Sequence, residues 1–403
     1  EKGPGGLPAV WIGTSEGVAV LEGGRLLRSG AGQGLPPGQV RSLVALPAAR
    51  GGREVWASLV GAGLWRWDGA RWRQVEARPA FRSDDAGALL ADEDAEGRAV
   101  LWAGSERSGL GRFASGRWET WGVARGLPAE SILSLLATRG PEGPRLWVGT
   151  RGGGLAEVAG GRVVAVHDRR TGLPNNHVLA LAEATAPDGT RELWAGTRGG
   201  VARRPLGATG AAWTVLSEES APALPNDNVF TIAAVPGGDV FLGTNRGVAR
   251  LRRGPDVPAG GEVVLYGRNE GLPGGACNQG SLVDGRGRVW IATSSGAAVF
   301  DPNGAAPRPR GPQPLVVERV EVEGAARAAS APVRLSPSER TVAFETALLA
   351  FHGESQIRYR TQLAGWEDEP TDWGPSPRRE FTNLPPGRYV FRAWGRDADG
   401  VES

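Results

Sequence analysis

The pentapeptide Leu146-Trp147-Val148-Gly149-Thr150 has close variants throughout the first three hundred residues of the chain. The other copies are Val10-Trp11-Ile12-Gly13-Thr14, Val55-Trp56-Ala57-Ser58, Leu101-Trp102-Ala103-Gly104-Ser105, Leu193-Trp194-Ala195-Gly196-Thr197, Val240-Phe241-Leu242-Gly243-Thr244 and Val289-Trp290-Ile291-Ala292-Thr293. Successive aromatic residues of this Trp motif are 45 to 49 positions apart. Seven copies at one spacing indicate a repeat architecture, in which each copy marks one supersecondary unit.

A second motif, Gly-Leu-Pro, recurs at the same spacing and opens most units. Its copies are Gly34-Leu35-Pro36, Gly126-Leu127-Pro128, Gly172-Leu173-Pro174, Ala223-Leu224-Pro225 and Gly271-Leu272-Pro273. A short apolar stretch follows each copy, then a glycine-rich turn, the Trp motif, a second glycine turn and two further apolar stretches. Short segments bounded by glycine and proline predict strands and disfavour helices. Each unit therefore predicts four short strands, as in one blade of a β-propeller.

The composition supports a packed repeat and excludes several classes of protein. The 403 residues include 63 glycines and 30 prolines, but these fall at the turns of the repeat, and 15 tryptophans indicate a substantial core. The 46 basic and 44 acidic residues leave a net charge of +2 without a basic cluster, which argues against a nucleic-acid partner. One cysteine and three scattered histidines predict neither a disulfide framework nor a metal site, and no cofactor is expected.

The repeat resembles the two-component regulator propeller repeat, which builds extracytoplasmic sensor regions of bacterial membrane signalling proteins. The resemblance rests on the Trp motif and on sequences such as Gly172-Leu173-Pro174-Asn175, and it covers residues 1–303. It implies a seven-bladed β-propeller. The second unit departs from the pattern, because Ser58 replaces the Gly-Thr pair and Ala77-Arg78-Pro79 precedes the third unit without a Gly-Leu-Pro.

The repeat region is two strands short of seven complete four-stranded blades. The sequence enters the first unit just before its second strand, and the seventh unit ends after its third strand, near residues 299–302. The missing pair would be the outer strand of the last blade and the inner strand of the first. We therefore expect a segment upstream of Glu1 to supply both strands, and the absence of methionine also suggests a longer parent chain.

The C-terminal quarter has a different pattern. Residues 304–314 are rich in proline, glycine and arginine and predict a linker. Residues 315–403 alternate apolar and polar side chains, and Pro385-Pro386-Gly387 predicts a turn between two strands. About ninety residues of this kind predict an immunoglobulin/fibronectin-like β-sandwich.

This segment resembles the three-tyrosine (Y_Y_Y) domain that follows such propellers. The matching sequences are Tyr359-Arg360-x-Gln362-Leu363-x-Gly365, Phe381-Thr382-Asn383-Leu384-Pro385-Pro386-Gly387-x-Tyr389 and Asp399-Gly400-Val401. Tyr359 and Tyr389 correspond to two of the name-giving tyrosines, and Phe381 replaces the third. The resemblance implies a following transmembrane helix, a cytoplasmic output module and a homodimer formed through the parent protein.

Two sets of propeller loops are expected to share one face, which we call the rim. In an antiparallel four-stranded blade, the loop into the first strand and the loop after the second emerge on the same side. The rim residues that we predict to bind a ligand are Arg107, Arg151, Arg198, Arg246, Asn176, His177, Asn228 and Asn278, and Gln279 lies next to Asn278 in the sequence. Converging arginines could hold a carboxylate or sulfate by bidentate hydrogen bonds. The alternative is that these arginines are solvated turn residues of an arginine-rich chain.

We interpret the chain as the periplasmic ligand-sensing region of a two-component-type signalling protein, non-catalytic in itself. Its parent would be a histidine kinase, a hybrid kinase or a nucleotide cyclase. The ligand would be a small molecule or oligosaccharide, anionic if the rim arginines bind it, and no membrane span is expected within the chain. Two alternatives stay open: an interaction scaffold with a broad apolar rim, and a propeller lyase or hydrolase acting on glycans, with a His or Tyr beside a carboxylate and an Arg.

Overall fold

The structure is a computed structural model that describes most of the chain. It covers residues 8–403 except 49–51, 78–80, 95, 209, 221–223, 255–256, 258–260, 269, 303–311, 329–331, 350–356 and 398–400. The described residues form 32 β-strands and four short 3₁₀ turns, so the all-β prediction is confirmed. Within the described ranges, no helix has the length and apolar character needed to cross a membrane.

The chain divides into two compact units. The first contains residues 1–268 and 272–302, and the second contains residues 269–271 and 303–403. Residues 304–311 of the predicted linker lie outside the described residues. The two units are described separately below.

The described residues of the first unit form seven small antiparallel sheets, numbered here in chain order. Sheets 2 to 6 have four strands and sheets 1 and 7 have three. The strands are, sheet by sheet, β1 (Ala9–Thr14), β2 (Gly17–Glu22), β3 (Arg25–Ser29); β4 (Val40–Pro47), β5 (Arg53–Leu59), β6 (Gly63–Trp67), β7 (Trp72–Val75); β8 (Ala86–Glu93), β9 (Ala99–Ser105), β10 (Leu110–Ala114), β11 (Arg117–Trp121); β12 (Ile132–Gly140), β13 (Gly143–Thr150), β14 (Leu155–Ala159), β15 (Arg162–His167); β16 (Val178–Thr185), β17 (Arg191–Thr197), β18 (Gly200–Pro205), β19 (Thr214–Leu216); β20 (Val229–Ala234), β21 (Val240–Thr244), β22 (Gly247–Arg252), β23 (Glu262–Tyr266); β24 (Cys277–Val283), β25 (Val289–Thr293), β26 (Gly296–Phe300). Repeated four-stranded sheets of this kind are consistent with a propeller.

Each sheet follows chain order, so the repeat of the sequence is also the repeat of the fold. The first strand of sheets 2 to 7 (β4, β8, β12, β16, β20 and β24) is called the inner strand, and it packs against the inner strand of the next sheet. The Trp motif forms the second strand of sheets 2 to 7 and the first described strand, β1, of sheet 1. Four 3₁₀ turns, at Ala31–Gln33, Ser83–Asp85, Val123–Arg125 and Arg169–Thr171, lead toward inner strands.

The glycine of the Trp motif is required because the next inner strand begins directly against it. A Cβ atom built on Gly196 would lie 2.9 Å from Cγ1 of Val229, and one built on Gly104 would lie 2.6 Å from Cγ2 of Ile132. The same approach occurs at three more junctions, between Gly13 and Val40, Gly149 and Val178, and Gly243 and Cys277. Only glycine permits backbone and side chain to come this close.

The exception in sheet 2 has a matching change on the facing strand. Ser58, which is fully buried, replaces the glycine of the motif there. The residue that begins the next inner strand is Ala86, at the register position that Ile132 occupies one sheet later. A small facing side chain leaves room for the serine, so the departure from the motif preserves the packing.

The threonine of the Trp motif closes the following turn. Thr197 donates a hydrogen bond from Oγ1 to the carbonyl oxygen of Gly200 at 2.8 Å, and Gly200 has a φ of 105°. Equivalent bonds from a buried or half-buried threonine to a glycine are made by Thr14, Thr150, Thr244 and Thr293. The motif thus supplies, in this order, an aromatic core residue, a glycine that permits close packing of the next inner strand, and a threonine that fixes the turn.

A buried ionic network joins sheets 5 and 6. Glu192 pairs with Arg203 of its own sheet at 2.8 Å and with Arg253 of the neighbouring sheet, and it accepts a hydrogen bond from Trp194 Nε1 at 3.0 Å. Only 8% of the Glu192 side chain and 7% of the Arg253 side chain are exposed. Both arginines also stack on the ring of Trp194. Removing one partner would leave buried charge uncompensated.

The second unit contains two sheets that share one apolar core. The larger has the order β28 (Ala325–Arg327), β27 (Leu315–Val322), β29 (Thr341–Leu348), β31 (Arg378–Thr382), and the smaller pairs β30 (Arg358–Ala364) with β32 (Val390–Arg396). Phe344 of the larger sheet stacks on Phe391 of the smaller, with ring centroids 4.1 Å apart. This arrangement is consistent with the predicted sandwich.

The three aromatic positions of the second unit have distinct roles. Tyr389 donates its hydroxyl to the carbonyl oxygen of Pro385 at 2.8 Å and fixes the Pro-Pro-Gly turn. Tyr359 accepts the Leu348 N–H at 3.4 Å. Phe381 is buried in the core with Phe344, where an aromatic ring is needed and a hydroxyl is not.

We predict that Gly196→Ala destabilises the first unit by about 1–3 kcal/mol, because the added methyl group overlaps Val229. Denaturant unfolding measures the loss, and Gly285→Ala is the matched control, since a Cβ there meets open space without a positive φ. The double variant Gly196→Ala/Val229→Ala should lose less than the sum of the two single variants. An unchanged unfolding midpoint for Gly196→Ala would contradict this prediction, because sheets 5 and 6 would then accommodate the methyl group without a loss of stability.

We predict that Glu192→Gln lowers the free energy of unfolding by about 3 kcal/mol, because Arg253 would remain buried without its counter-charge. The control is Glu262→Gln, which breaks the exposed pair with Arg252 and should change stability by less than about 1 kcal/mol. Equal losses in the two variants would contradict the role of the buried network.

Candidate functional site

The six inner strands surround one cavity of about 170 Å³ in the first unit. Each inner strand has a β-bulge near its start, where the register against the second strand shifts. A bulge bends the strand and turns additional backbone groups away from the ladder. Among the described residues that line the cavity, Arg41 is the one charged side chain.

Hydroxyl side chains beside the bulges connect neighbouring inner strands. Ser42 accepts the N–H of Leu89 at 3.2 Å, and Ser134 donates to the carbonyl oxygen of Val178 at 3.0 Å. Thr231 donates to Ser281 Oγ at 2.8 Å, which continues the same pattern between sheets 6 and 7. These hydroxyl groups are already hydrogen-bonded between neighbouring strands. We therefore look for ligand-binding side chains at the rim.

Main-chain hydrogen bonds show that the two predicted sets of loops do share the rim. Arg151 N–H donates to the carbonyl oxygen of Ser131 at 2.9 Å, within one sheet. Gly152 and Gly154 each donate to the carbonyl oxygen of Asn176, at 3.0 Å, which joins that sheet to the next. In sheets 2, 3, 4, 5 and 7, the turn after the second strand is therefore held against the loop that enters its own inner strand or the following one.

A charged cluster crosses the rim of sheets 2, 3 and 4. Glu106 is in contact with Arg41 of the preceding sheet and lies 3.8 Å from Nη2 of Arg151 in the following sheet. Arg151 Nε also donates to Ser131 Oγ at 3.3 Å. One carboxylate is thus shared by two guanidinium groups, and the arginines retain unused donors because each has five N–H groups.

His177 lies beside Arg151, in the loop that leads into the inner strand β16. The two residues form an antiparallel bridge, and the His177 N–H donates to Asn175 Oδ1 at 2.9 Å. Partial burial lowers the pKa of His177 below its usual value, and the charges of Arg198 and Arg151 lower it further. Near neutral pH the imidazole is therefore uncharged, and the two arginines make this part of the rim positive.

The other predicted site residues have different surroundings. Asn176 accepts the Arg169 N–H through its side-chain oxygen at 2.9 Å and so shapes the loop. Asn228 donates its N–H to Asn226 Oδ1, and Asn278 donates through Nδ2 to the carbonyl oxygen of Thr293. Gln279 reaches across the cavity to the carbonyl oxygen of Leu179 at 3.3 Å. These residues stabilise turns or the cavity wall in the described part of the chain.

The four rim arginines do not occupy one register position. Arg151 and Arg198 directly follow the threonine of the Trp motif, whereas Arg107 and Arg246 stand one residue later. All four arginines are exposed, and Arg107 and Arg246 each use the backbone N–H in a turn bond, to Ser105 and Thr244 respectively. The structure brings Arg151, Arg198 and His177 together, and among the described contacts none joins Arg107 or Arg246 to them.

Sequence reasoning missed Arg41 and Glu106. Glu106 occupies the same register position as Arg151 and Arg198, so an alignment counted from the motif threonine would have found it. Arg41 stands at the bulge of its inner strand, and no sequence motif marks that position. Both residues lie in the part of the rim that includes Arg151, which makes them members of the candidate site.

The C-terminal residues 350–403 match the model of the Y_Y_Y domain. No curated protein matches the sequence. Solved structures from B. thetaiotaomicron and Porphyromonas gingivalis, all at low sequence identity, share the fold, and the chain spans about half of their length.

The extracellular domain of BT3049 from B. thetaiotaomicron, assigned as a hybrid two component system, aligns over 99% of this chain and 53% of its own, with 18% identity and a TM-score of 0.73. That of BT4673 from B. thetaiotaomicron, assigned as a one component system, aligns over 98% and 54%, with 16% identity and a TM-score of 0.54. PorZ, a surface component of the type-IX secretion system of Porphyromonas gingivalis, aligns over 98% and 56%, with 14% identity and a TM-score of 0.50. Residues 350–403 thus match the Y_Y_Y domain, and the chain shares its fold with the extracellular domains of BT3049 and BT4673.

Proposed function

We propose that this chain is the extracytoplasmic ligand-sensing region of a two-component-type signalling protein, either a histidine kinase or a hybrid. Its first unit would be a seven-bladed propeller that binds the ligand at the rim, and its second unit would transmit the change toward the membrane. The region itself would be non-catalytic. The Y_Y_Y match and the shared fold with BT3049 and BT4673 support this proposal.

The observation that carries the binding site is the cluster of Arg151, Arg198 and His177. Two guanidinium groups beside an uncharged imidazole favour an anion, since arginine binds carboxylates and sulfates through paired N–H donors. Arg41 extends the positive region toward the cavity, although Glu106 offsets part of its charge. The ligand class best supported is therefore a small carboxylated molecule or an acidic oligosaccharide.

The same cluster favours binding over acid-base catalysis. A lyase or hydrolase site would need a carboxylate or tyrosine to exchange protons with His177. The charged groups that shift the pKa of His177 are both arginines, which hold it in the neutral form and provide no proton relay. We therefore propose a sensor whose site recognises charge and shape.

We predict that a galacturonate oligosaccharide binds measurably and that its uncharged methyl ester binds at least tenfold more weakly. Isothermal titration calorimetry measures both affinities. Arg151→Ala and Arg198→Ala should each weaken binding of the acid about 10- to 100-fold, because each removes charge-assisted hydrogen bonds. Arg162→Ala, on the exposed outer strand β15, is the matched control and should bind as the unsubstituted chain does.

The site assignment would be overturned if the two rim variants bound the acid as tightly as the control variant. Failure of galacturonate, citrate and sulfate to bind at millimolar concentration would overturn the anion proposal as a whole.

We predict that anion binding strengthens as the pH falls from about 8 to 5.5. The pKa of His177 is lowered in the free protein by burial, Arg198 and Arg151, and a bound anion would offset the two positive charges and raise that pKa again. Binding then takes up a proton, and one pKa unit of difference corresponds to roughly a tenfold change in affinity. His177→Gln should abolish this pH dependence without abolishing binding, and an unaltered pH profile in that variant would exclude His177.

A further inference from the structure

The residue directly after the strand that carries the Trp motif is held in the same way in several sheets. Its backbone N–H donates to the carbonyl oxygen of the residue just before the inner strand of the same sheet. These bonds join Val60 to Gln39 at 3.0 Å, Glu106 to Asp85 at 3.1 Å, Arg151 to Ser131 at 2.9 Å and Ser294 to Ala276 at 2.9 Å. The backbone at this position is therefore fixed in sheets 2, 3, 4 and 7, and the side chain is what differs.

Glu106 is the one acidic residue at this position of the repeat. The seven residues, from sheet 1 to sheet 7, are Ser15, Val60, Glu106, Arg151, Arg198, Asn245 and Ser294. Sheet 3 therefore carries a carboxylate at the point of the rim where the next two sheets carry guanidinium groups.

That carboxylate lies between arginines of two other sheets. Its Oε1 atom contacts Nη1 of Arg41 in sheet 2 and lies 3.8 Å from Nη2 of Arg151 in sheet 4. The neighbouring carboxylate of Asp85 is engaged elsewhere, since it accepts a hydrogen bond from Oγ of Ser105. Glu106 thus occupies the position that a carboxylate of a ligand would take between the two guanidinium groups.

The contact of Glu106 with the arginines can be exchanged for another. The side chains of Arg41, Glu106 and Arg151 are 37%, 29% and 44% exposed, so a ligand can reach all three. Ion pairs between exposed side chains stabilise a protein only weakly, in contrast to the buried pair of Glu192 and Arg253. A ligand that brings its own carboxylate can therefore replace Glu106 without disrupting the fold.

We propose that Glu106 is an internal competitor of the ligand, whose carboxylate occupies the space between Arg41 and Arg151 until an anionic group of the ligand displaces it. This inference rests on the proposed anion-binding function and adds to it a residue that limits the affinity of the site. The apparent affinity of such a site is its intrinsic affinity multiplied by the fraction of time for which the space is vacant.

The competitor also selects the class of ligand. Because Glu106 belongs to the chain, its carboxylate is present at a high effective concentration beside the two arginines. A free inorganic anion offers the same contacts that Glu106 already makes with Arg41 and Arg151. An acidic oligosaccharide that also contacts Arg198 gains hydrogen bonds beyond those of the competitor. The site therefore favours acidic oligosaccharides over free anions such as sulfate.

The test is Glu106→Gln, which keeps the size of the side chain and removes its charge. Isothermal titration calorimetry should show that a galacturonate oligosaccharide and sulfate each bind about tenfold more tightly to this variant than to the unsubstituted chain. A tenfold gain corresponds to a competitor that occupies the space for about nine-tenths of the time.

The matched control is Glu119→Gln on the outer strand β11 of the same sheet. Glu119 is exposed, and its substitution removes the same charge without touching Arg41 or Arg151. Because exposed charges are screened by salt, the affinity of the control for both anions should stay within about twofold of the unsubstituted chain.

A double variant separates competition from a general effect of charge. In the unsubstituted chain Arg151→Ala weakens the hold on the ligand and on Glu106 alike, so part of its effect cancels. The loss of affinity caused by Arg151→Ala should therefore be larger in the Glu106→Gln background than in the unsubstituted chain. Equal losses in the two backgrounds would contradict direct competition.

The inference would be overturned if Glu106→Gln bound the galacturonate oligosaccharide no more tightly than the control variant does. If Arg151→Ala still weakened binding in that case, the proposed function would stand without the competitor. Failure of both the unsubstituted chain and Glu106→Gln to bind either anion at millimolar concentration would instead overturn the proposed function and this inference together.

Discussion

The close approach of each inner strand to the glycine of the preceding Trp motif determines how the first unit is built. Gly104, Gly149, Gly196 and Gly243 have no side chain where the next sheet begins, so neighbouring sheets pack at one short, repeated distance. The aromatic residue before the glycine fills the space between sheets, and the threonine after it closes the turn. Because this contact recurs with the motif, the regular spacing of the motif in the sequence produces a regular spacing of the sheets.

The same contact positions the candidate site. The turn that follows the motif threonine is held by main-chain bonds to the loops of its own and the next sheet, so Arg151 and His177 come from different sheets yet meet at a fixed distance. Rigid strands set the backbone, and the side chains on the turns are free to differ. Sheet 3 has Glu106 at the position where sheets 4 and 5 have Arg151 and Arg198.

Much of the fold could be predicted from the sequence because its motifs are physical requirements that recur at a spacing of 45 to 49 residues. Gly-Leu-Pro loops, glycine turns and buried tryptophans each depend on local geometry, which a single sequence displays. The site was less accessible, because Arg41 and Glu106 are brought to Arg151 by the packing of three sheets, and only Glu106 stands at a position that the repeat marks. One arginine per unit does not by itself define a site, because Arg107 and Arg246 stand one residue later in their turns than Arg151 and Arg198 do.

The contact between Gly243 and Cys277 gives the molecule a built-in reporter. Cys277 is the one thiol of the chain, it is 97% buried at the boundary of sheets 6 and 7, and burial raises its pKa, so it is protected from thiol reagents while the sheets stay together. Its rate of labelling measures how often that boundary opens. The reactivity of this thiol thus reports on local opening of the fold at the boundary of sheets 6 and 7.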